Sequence, residues 1–187
     1  MRFFFFLSFL FLSTGIYAQD SSTGFPMLES APTPSGLAIN DAGVAVPMGS
    51  ASLYLNPALL VLNPASSIDL GYSSWIEDSN YLFGGANFLN GNRSFTLGIY
   101  SSKSGGFEQR NNPGGSNGEF SISHLSLSAG LAYKFNLLSL GVSGQFLNEE
   151  NAQYQSSGYA FNFGAAATFI DSRLKTGISI LNIGKLD

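Results

Sequence analysis

From Ser66 onward the chain keeps placing a large apolar residue at every second position, with a small uncharged residue between. The clearest run sets Leu125, Leu127, Ala129, Leu131, Tyr133 and Phe135 against Ser126, Ser128, Gly130, Ala132 and Lys134. Successive side chains of a β-strand point to opposite faces, so a period of two gives each strand one apolar and one small polar face. The same alternation marks Ile68, Leu70 and Tyr72; Phe95, Leu97 and Ile99; Leu138, Leu140, Val142 and Phe146; Phe161, Phe163, Ala165, Ala167 and Phe169; and Leu174, Ile178 and Ile180. Residues 81–88 are a weaker case, because Gly84 and Gly85 blur the faces. The pattern predicts seven strands, most near the ~9–11 residues that cross a bilayer at a tilt.

The second face narrows the choice of solvent. It is Ser, Gly, Ala, Thr, Asn and Gln, and only 11% of the chain is charged, against about 25% in an average soluble domain. A soluble sandwich usually carries Lys, Glu and Arg on its wet face. Small uncharged residues suit the crowded inside of a barrel. The fold expected is all-β, an antiparallel transmembrane outer-membrane β-barrel. A secreted soluble β-sandwich and a small, tightly packed soluble barrel are the alternatives. Tight turns are expected at Asn136, at 90–92 and at 171–173, with longer loops at 103–119 and 147–155. Short turns on one side and longer loops on the other are the habit of such barrels. Trp75, Tyr81, Tyr100, Tyr133, Phe135, Tyr154 and Tyr159 fit either interface girdles or ordinary β-propensity.

Residues 1–18 read as a secretory signal peptide: Arg2, an apolar stretch over 3–12, the breakers Ser13, Thr14 and Gly15, then a cleavage site between Ala18 and Gln19. As a helix that stretch would rise only about 15 Å, too short for a ~30 Å hydrocarbon core. An uncleaved anchor is the bland alternative. The chain contains no Cys, so disulfides, thiolate chemistry and lipid attachment after cleavage are excluded. Residues 19–36, with Pro26, Pro32 and Pro34, are expected to be an extended lead-in. Residues 37–65 form an N-terminal plug-like segment in which 51–62 is a short helix interrupted or started by Pro57. Residues 66–184 are the strands.

Seven is odd, whereas bacterial single-chain barrels are even-stranded. Unpaired edges in lipid cost several kcal/mol for each backbone group. An eighth strand from 37–65, closure between subunits, or a longer protein would each resolve this. At Leu53 to Leu60, and above all at Asn56-Pro57-Ala58, the sequence resembles the PorV/PorQ family of outer-membrane barrels associated with type IX secretion. Pro34-Ser35-Gly36-Leu37-Ala38 and Asp41-Ala42-Gly43 match that family's Gly-rich lead. Gly118-Glu119-Phe120-Ser121, Tyr154-Gln155-Ser156-Ser157-Gly158 and Leu181-Asn182-Ile183-Gly184 follow in its order. The family's usual acidic pair is replaced here by Pro47-Met48-Gly49. The resemblance implies the N-terminal half of an incomplete barrel of about fourteen strands. It also implies a non-enzymatic accessory role in secretion and surface delivery, with secretion-system proteins, secreted cargo and outer-membrane lipid as partners. By it, Asn56 and Pro57 would belong to a segment packed in or near the lumen. Residue type alone reads them as a plain helix start. Kinship with long-chain fatty-acid transporters implies the alternative, a transporter of hydrophobic small molecules.

Catalytic chemistry is not legible. His124 is the only His, and a lone imidazole on a strand lacks the arranged partner that catalysis needs. Asp69, Glu77 and Asp78 show no metal-ligand spacing, and Glu149-Glu150 reads as a solvated pair. Gly84-Gly85 and Gly105-Gly106 lack the Lys and helix of a phosphate loop. No metal and no cofactor is expected. With eight Lys plus Arg and a net charge of −4, no nucleic acid is expected either.

Overall fold

A computed structural model describes residues 26–29, 31–39, 43–75, 78–108, 118–151, 154–169 and 173–186. Seven strands form one antiparallel sheet in chain order: β1 Ser67–Ser74, β2 Asn80–Asn90, β3 Arg93–Glu108, β4 Glu119–Phe135, β5 Leu138–Asn151, β6 Tyr154–Phe169 and β7 Leu174–Leu186. The fold is all-β, as the alternation requires. β1 and β7 run in the same direction, and among the described residues no ladder joins them. The signal peptide and the Ala18/Gln19 cleavage position lie outside the described residues, as do most of the loop after β3 and Asp171-Ser172. No described helix is long and apolar enough to cross a membrane, which does not bear on strands.

Two tight turns stand where local sequence puts them. Gly91 (φ 56°) links β2 to β3 and Asn136 (φ 53°) links β4 to β5. A left-handed first turn residue matches the twist of the strands it joins, and Gly and Asn adopt it most readily.

The long loops are overturned in part. The β3·β4 ladder continues through Lys103↔Ser123 and Ser104↔Ile122 to Glu108↔Glu119, with a register shift after Ser104. Gly106 (φ 79°) sits in that shift. Residues 147–151 and 154–155 likewise pair, Leu147↔Gly158 through Asn151↔Tyr154, so the expected 147–155 loop is mostly ladder. Asn148, Glu149 and Glu150 break the apolar alternation there. Backbone pairing with the neighbouring strand carries an extension that the side-chain pattern does not announce.

The two faces of the sheet differ as the alternation predicts. One is exposed and apolar on every strand: Leu70 is 84% accessible, and Leu97, Leu131, Leu140, Phe163 and Ile178 stand out beside it. The opposite face is buried, yet polar. Thr96 is 0% accessible, and Asn87, Ser94, Ser126, Ser139, Ser143 and Asn162 are almost as inaccessible. What buries them is the chain before β1. It comprises the 3-10 turn Pro26–Glu29, the helix Pro34–Ala38, the 3-10 turn Gly43–Ala45, the helix Ser52–Leu55 and the 3-10 helix Pro57–Leu62. Among the described residues of 37–65 no eighth strand forms.

Of the aromatics that fit either girdles or ordinary β-propensity, two point inward. Tyr100 is buried with Phe83, Met27 and Ala51, and Tyr81 packs against that cluster. Position parity decides this, since both lie on the face that carries Phe83, Gly85 and Asn87. Trp75, Tyr133, Phe135, Tyr154 and Tyr159 are exposed.

Candidate functional site

Asn56 lies against the inward face at β6 and β7 and is wholly buried. Its backbone is extended (φ −159°, ψ 101°), and its side-chain Oδ1 accepts the Ala58 N–H at 3.0 Å. That is an N-cap, with Pro57 in the first helical position, where a missing N–H does no harm. The opposite end of the amide reaches further. Nδ2 lies 2.7 Å from the Val44 carbonyl, 3.2 Å from that of Ala165 and 3.4 Å from that of Ile178. One side chain thus starts a helix, ties down the preceding 3-10 turn and reaches the backbones of β6 and β7.

The sheet is shaped to receive this segment. A Cβ on Gly141 would lie 2.3 Å from the Pro57 carbonyl carbon, one on Gly164 would collide with Asn56 Oδ1, and one on Gly177 with Val44 O. On Gly130 and Gly98 it would strike the Leu53 side chain, and on Gly85 the Ser50 hydroxyl. These glycines run across β2 to β7, one per strand, and their bare backbones let the N-terminal segment approach.

The small polar residues between them satisfy backbone groups that short helices leave open. Ser143 Oγ and Asn162 Nδ2 donate to the Leu53 carbonyl at 2.8 and 3.1 Å. Asn63 Nδ2 and Asn87 Nδ2 donate to the Leu60 carbonyl at 3.0 and 3.2 Å. Asn162 Oδ1 in turn accepts the N–H of Asn182 at 2.7 Å. Asn182 has φ 58° and lies where the β6·β7 register shifts. Near β1, Asp69 accepts both the N–H and the hydroxyl of Ser50 at 2.7 Å. Tyr54 shares a hydrogen bond with Ser128. Burial pushes the Tyr54 phenol above its ordinary value, while its bonds to Ser128 and Ser126 pull the other way.

Asn56, Pro57 and Ala58 therefore sit together in a buried seat. The residues that build the seat (Asn63, Asn87, Ser143, Asn162 and Asp69) carry no motif. The available signal was Asn at an inward position of a strand, where its low β-propensity calls for a partner. The described residues of the seat pack together and hydrogen-bond one another. His124 faces Glu149 across β4 and β5 at 3.6 Å, near the opposite end of these strands from the Asn136 turn. Among the described residues no group of three metal-ligating side chains converges. No protein-family model matches the chain, and no curated protein matches it.

Proposed function

We propose that this chain forms the wall and the inner filling of a non-enzymatic outer-membrane β-barrel, an accessory component of type IX protein secretion and surface delivery. The observation that carries this reading is the pairing of an apolar, exposed outer face on all seven strands with an inner face sealed by the chain's own residues 43–63. A soluble monomer rarely exposes an apolar patch larger than a few hundred Å². Lipid requires such a face, and requires that polar groups be satisfied inside. The signal-peptide pattern at 1–18 supports export, and the Asn-Pro-Ala resemblance supports the secretion role. A filled inner face favours a docking component over a conduit for hydrophobic small molecules, because Leu53, Asn56 and Pro57 occupy the space along β3 to β7 that a solute would use.

The test is fractionation and deletion in the native cells. The protein is expected in the outer membrane after an alkaline wash. Deleting it is expected to lower surface delivery of secreted proteins while leaving uptake of hydrophobic small molecules unchanged. Release into aqueous buffer without detergent would overturn the membrane reading. Normal surface delivery with impaired uptake would replace the secretion role by transport.

A further inference from the structure

The outer face is not uniform. At its short-turn end a groove of about 450 Å³ opens between the outward side chains of β4 and β5. Leu131 and Val142 form one bank, Tyr133 and Leu140 the other, and the paired backbones of Ala132 and Gly141 form the floor. Arg93 of β3 closes one end. It pairs with Tyr133 across the ladder, and its guanidinium carbon lies 5.9 Å from the centre of that ring. Among the described residues no carboxylate pairs with it. The groove is shallow and open, apolar between its banks and positively charged at one end.

Charge along the strands points the same way. Arg93 and Arg173 stand at the short-turn end of the sheet, as do Lys134 and Lys175 at positions of inner-face parity, whereas Asp78, Glu149 and Glu150 stand at the opposite end with Lys103 and Lys185. The nearest described acid to the short-turn rim, Asp69, is turned inward to Ser50; Asp171, in the turn before Arg173, lies outside the described residues. Aromatic rings gather on that rim too. Phe88 stacks on Phe95 with centroids 6.3 Å apart, and Tyr133 lies 4.3 Å from Phe135. Aromatic belts and basic residues mark the level of lipid headgroups, where the rings span the polarity gradient and the cations meet phosphate.

We infer that this groove is a binding site for one anionic glycerophospholipid. An acyl chain lies between the Leu131–Val142 and Tyr133–Leu140 banks, and the phosphate is held by Arg93. A guanidinium offers a planar fork of donors that matches a phosphate. Its place over the Tyr133 ring holds that fork at the groove mouth. A zwitterionic lipid would fill the groove equally well but would present an ammonium beside its phosphate, weakening the attraction. The inference rests on the membrane reading above and adds a lipid of defined charge to it.

The test uses the whole protein extracted from its membrane in mild detergent, stripped of lipid, and offered phosphatidylglycerol or phosphatidylcholine of identical acyl chains. Bound lipid is counted by native mass spectrometry. Retention of a single phosphatidylglycerol in preference to phosphatidylcholine is expected. Arg93→Ala should weaken that retention about tenfold, the scale of one charge-assisted hydrogen bond. Arg93→Lys should restore part of it. Leu140→Trp should block the groove with the cation intact, and Lys103→Ala at the far end should change nothing. Circular dichroism of each variant shows whether it has folded. Equal retention of the two lipids, or an unchanged Arg93→Ala, would overturn the site while leaving a membrane protein. A chain soluble without detergent would instead remove the premise.

Discussion

Residues 43–63 and residues 26–39 both lie against the inner side of the same sheet, but they are held by different forces. The first segment is fixed by hydrogen bonds that Asn56, Ser143, Asn162 and Asn87 donate and that Asp69 accepts, and by glycines that admit its backbone. The second is held by side chains. Met27 packs on Phe83 and Tyr100, and Leu28 packs near Leu147 and Ala160. One described hydrogen bond joins it to the sheet, from Ser102 Oγ to Met27 Sδ at 3.9 Å. Hydrogen bonds in a dry interior are directional and costly to leave unmade, so they specify one position. Apolar contacts are not directional and tolerate displacement. The latched segment should therefore unfold only with the sheet, while the lead-in should detach by itself.

The strongest way to break this comparison is Gly141→Val. The new Cβ meets the rigid Pro57 carbonyl rather than a movable side chain, so the segment must leave its seat. A loss of at least ~3 kcal/mol is expected, beyond ordinary overpacking, read from the urea midpoint in micelles. Gly105→Ala, whose Cβ would meet only Ser121 Cβ at 3.6 Å, serves as the near-neutral control. Equal midpoints for the two variants would show that the seat does not matter.

Asn56→Ala comes next, at roughly 2–4 kcal/mol, because it removes a helix cap and strands buried carbonyls. Asn56→Asp keeps the cap acceptor but loses the donors, so it should recover little. Met27→Ala sharpens the contrast. A buried Met normally costs ~2–5 kcal/mol when truncated, but a lead-in that detaches locally should lower the global midpoint by less than about 1 kcal/mol. Protease should then cut 26–39 faster while 43–63 stays protected. A Met27→Ala loss as large as that of Asn56→Ala would mean that the two segments form one unit.

The smallest effect is alkaline. Tyr54 is held neutral by burial, so its pKa in the folded protein lies above that of the unfolded chain. The stability tied to the neutral phenol is complete below pH ~10 and is lost as pH rises beyond it, because the unfolded chain ionises first. Between pH 8 and pH 11 the native protein should therefore lose more stability than Tyr54→Phe does. Equal losses would place Tyr54 outside the dry interior.

Much of the wall was legible. The period of two located the seven strands and assigned Leu70, Leu97 and Leu131 to one face and Ser126, Ser128 and Thr96 to the other. The tight turn at Asn136 and the helix start at Pro57 followed from single residues with narrow backbone preferences. Less legible was what the polar face is for. Residue size alone suggests crowding across a lumen, whereas Ser143, Asn87 and Asn162 cap the carbonyls of a segment up to 109 residues away in sequence. Residue type alone does not separate Tyr81 and Tyr100 from the exposed aromatics; their parity places them inside.

By itself the sequence determined the strands, their two faces and their tight turns, because each strand carries its own alternation and each turn its own left-handed residue. Only the tertiary structure decided what meets the inner face, how far β3 to β6 extend past their apolar runs, and why glycines recur on successive strands. Those features depend on backbones brought together from distant parts of the chain. A glycine notch acquires meaning only when Pro57 or Asn56 lies against it.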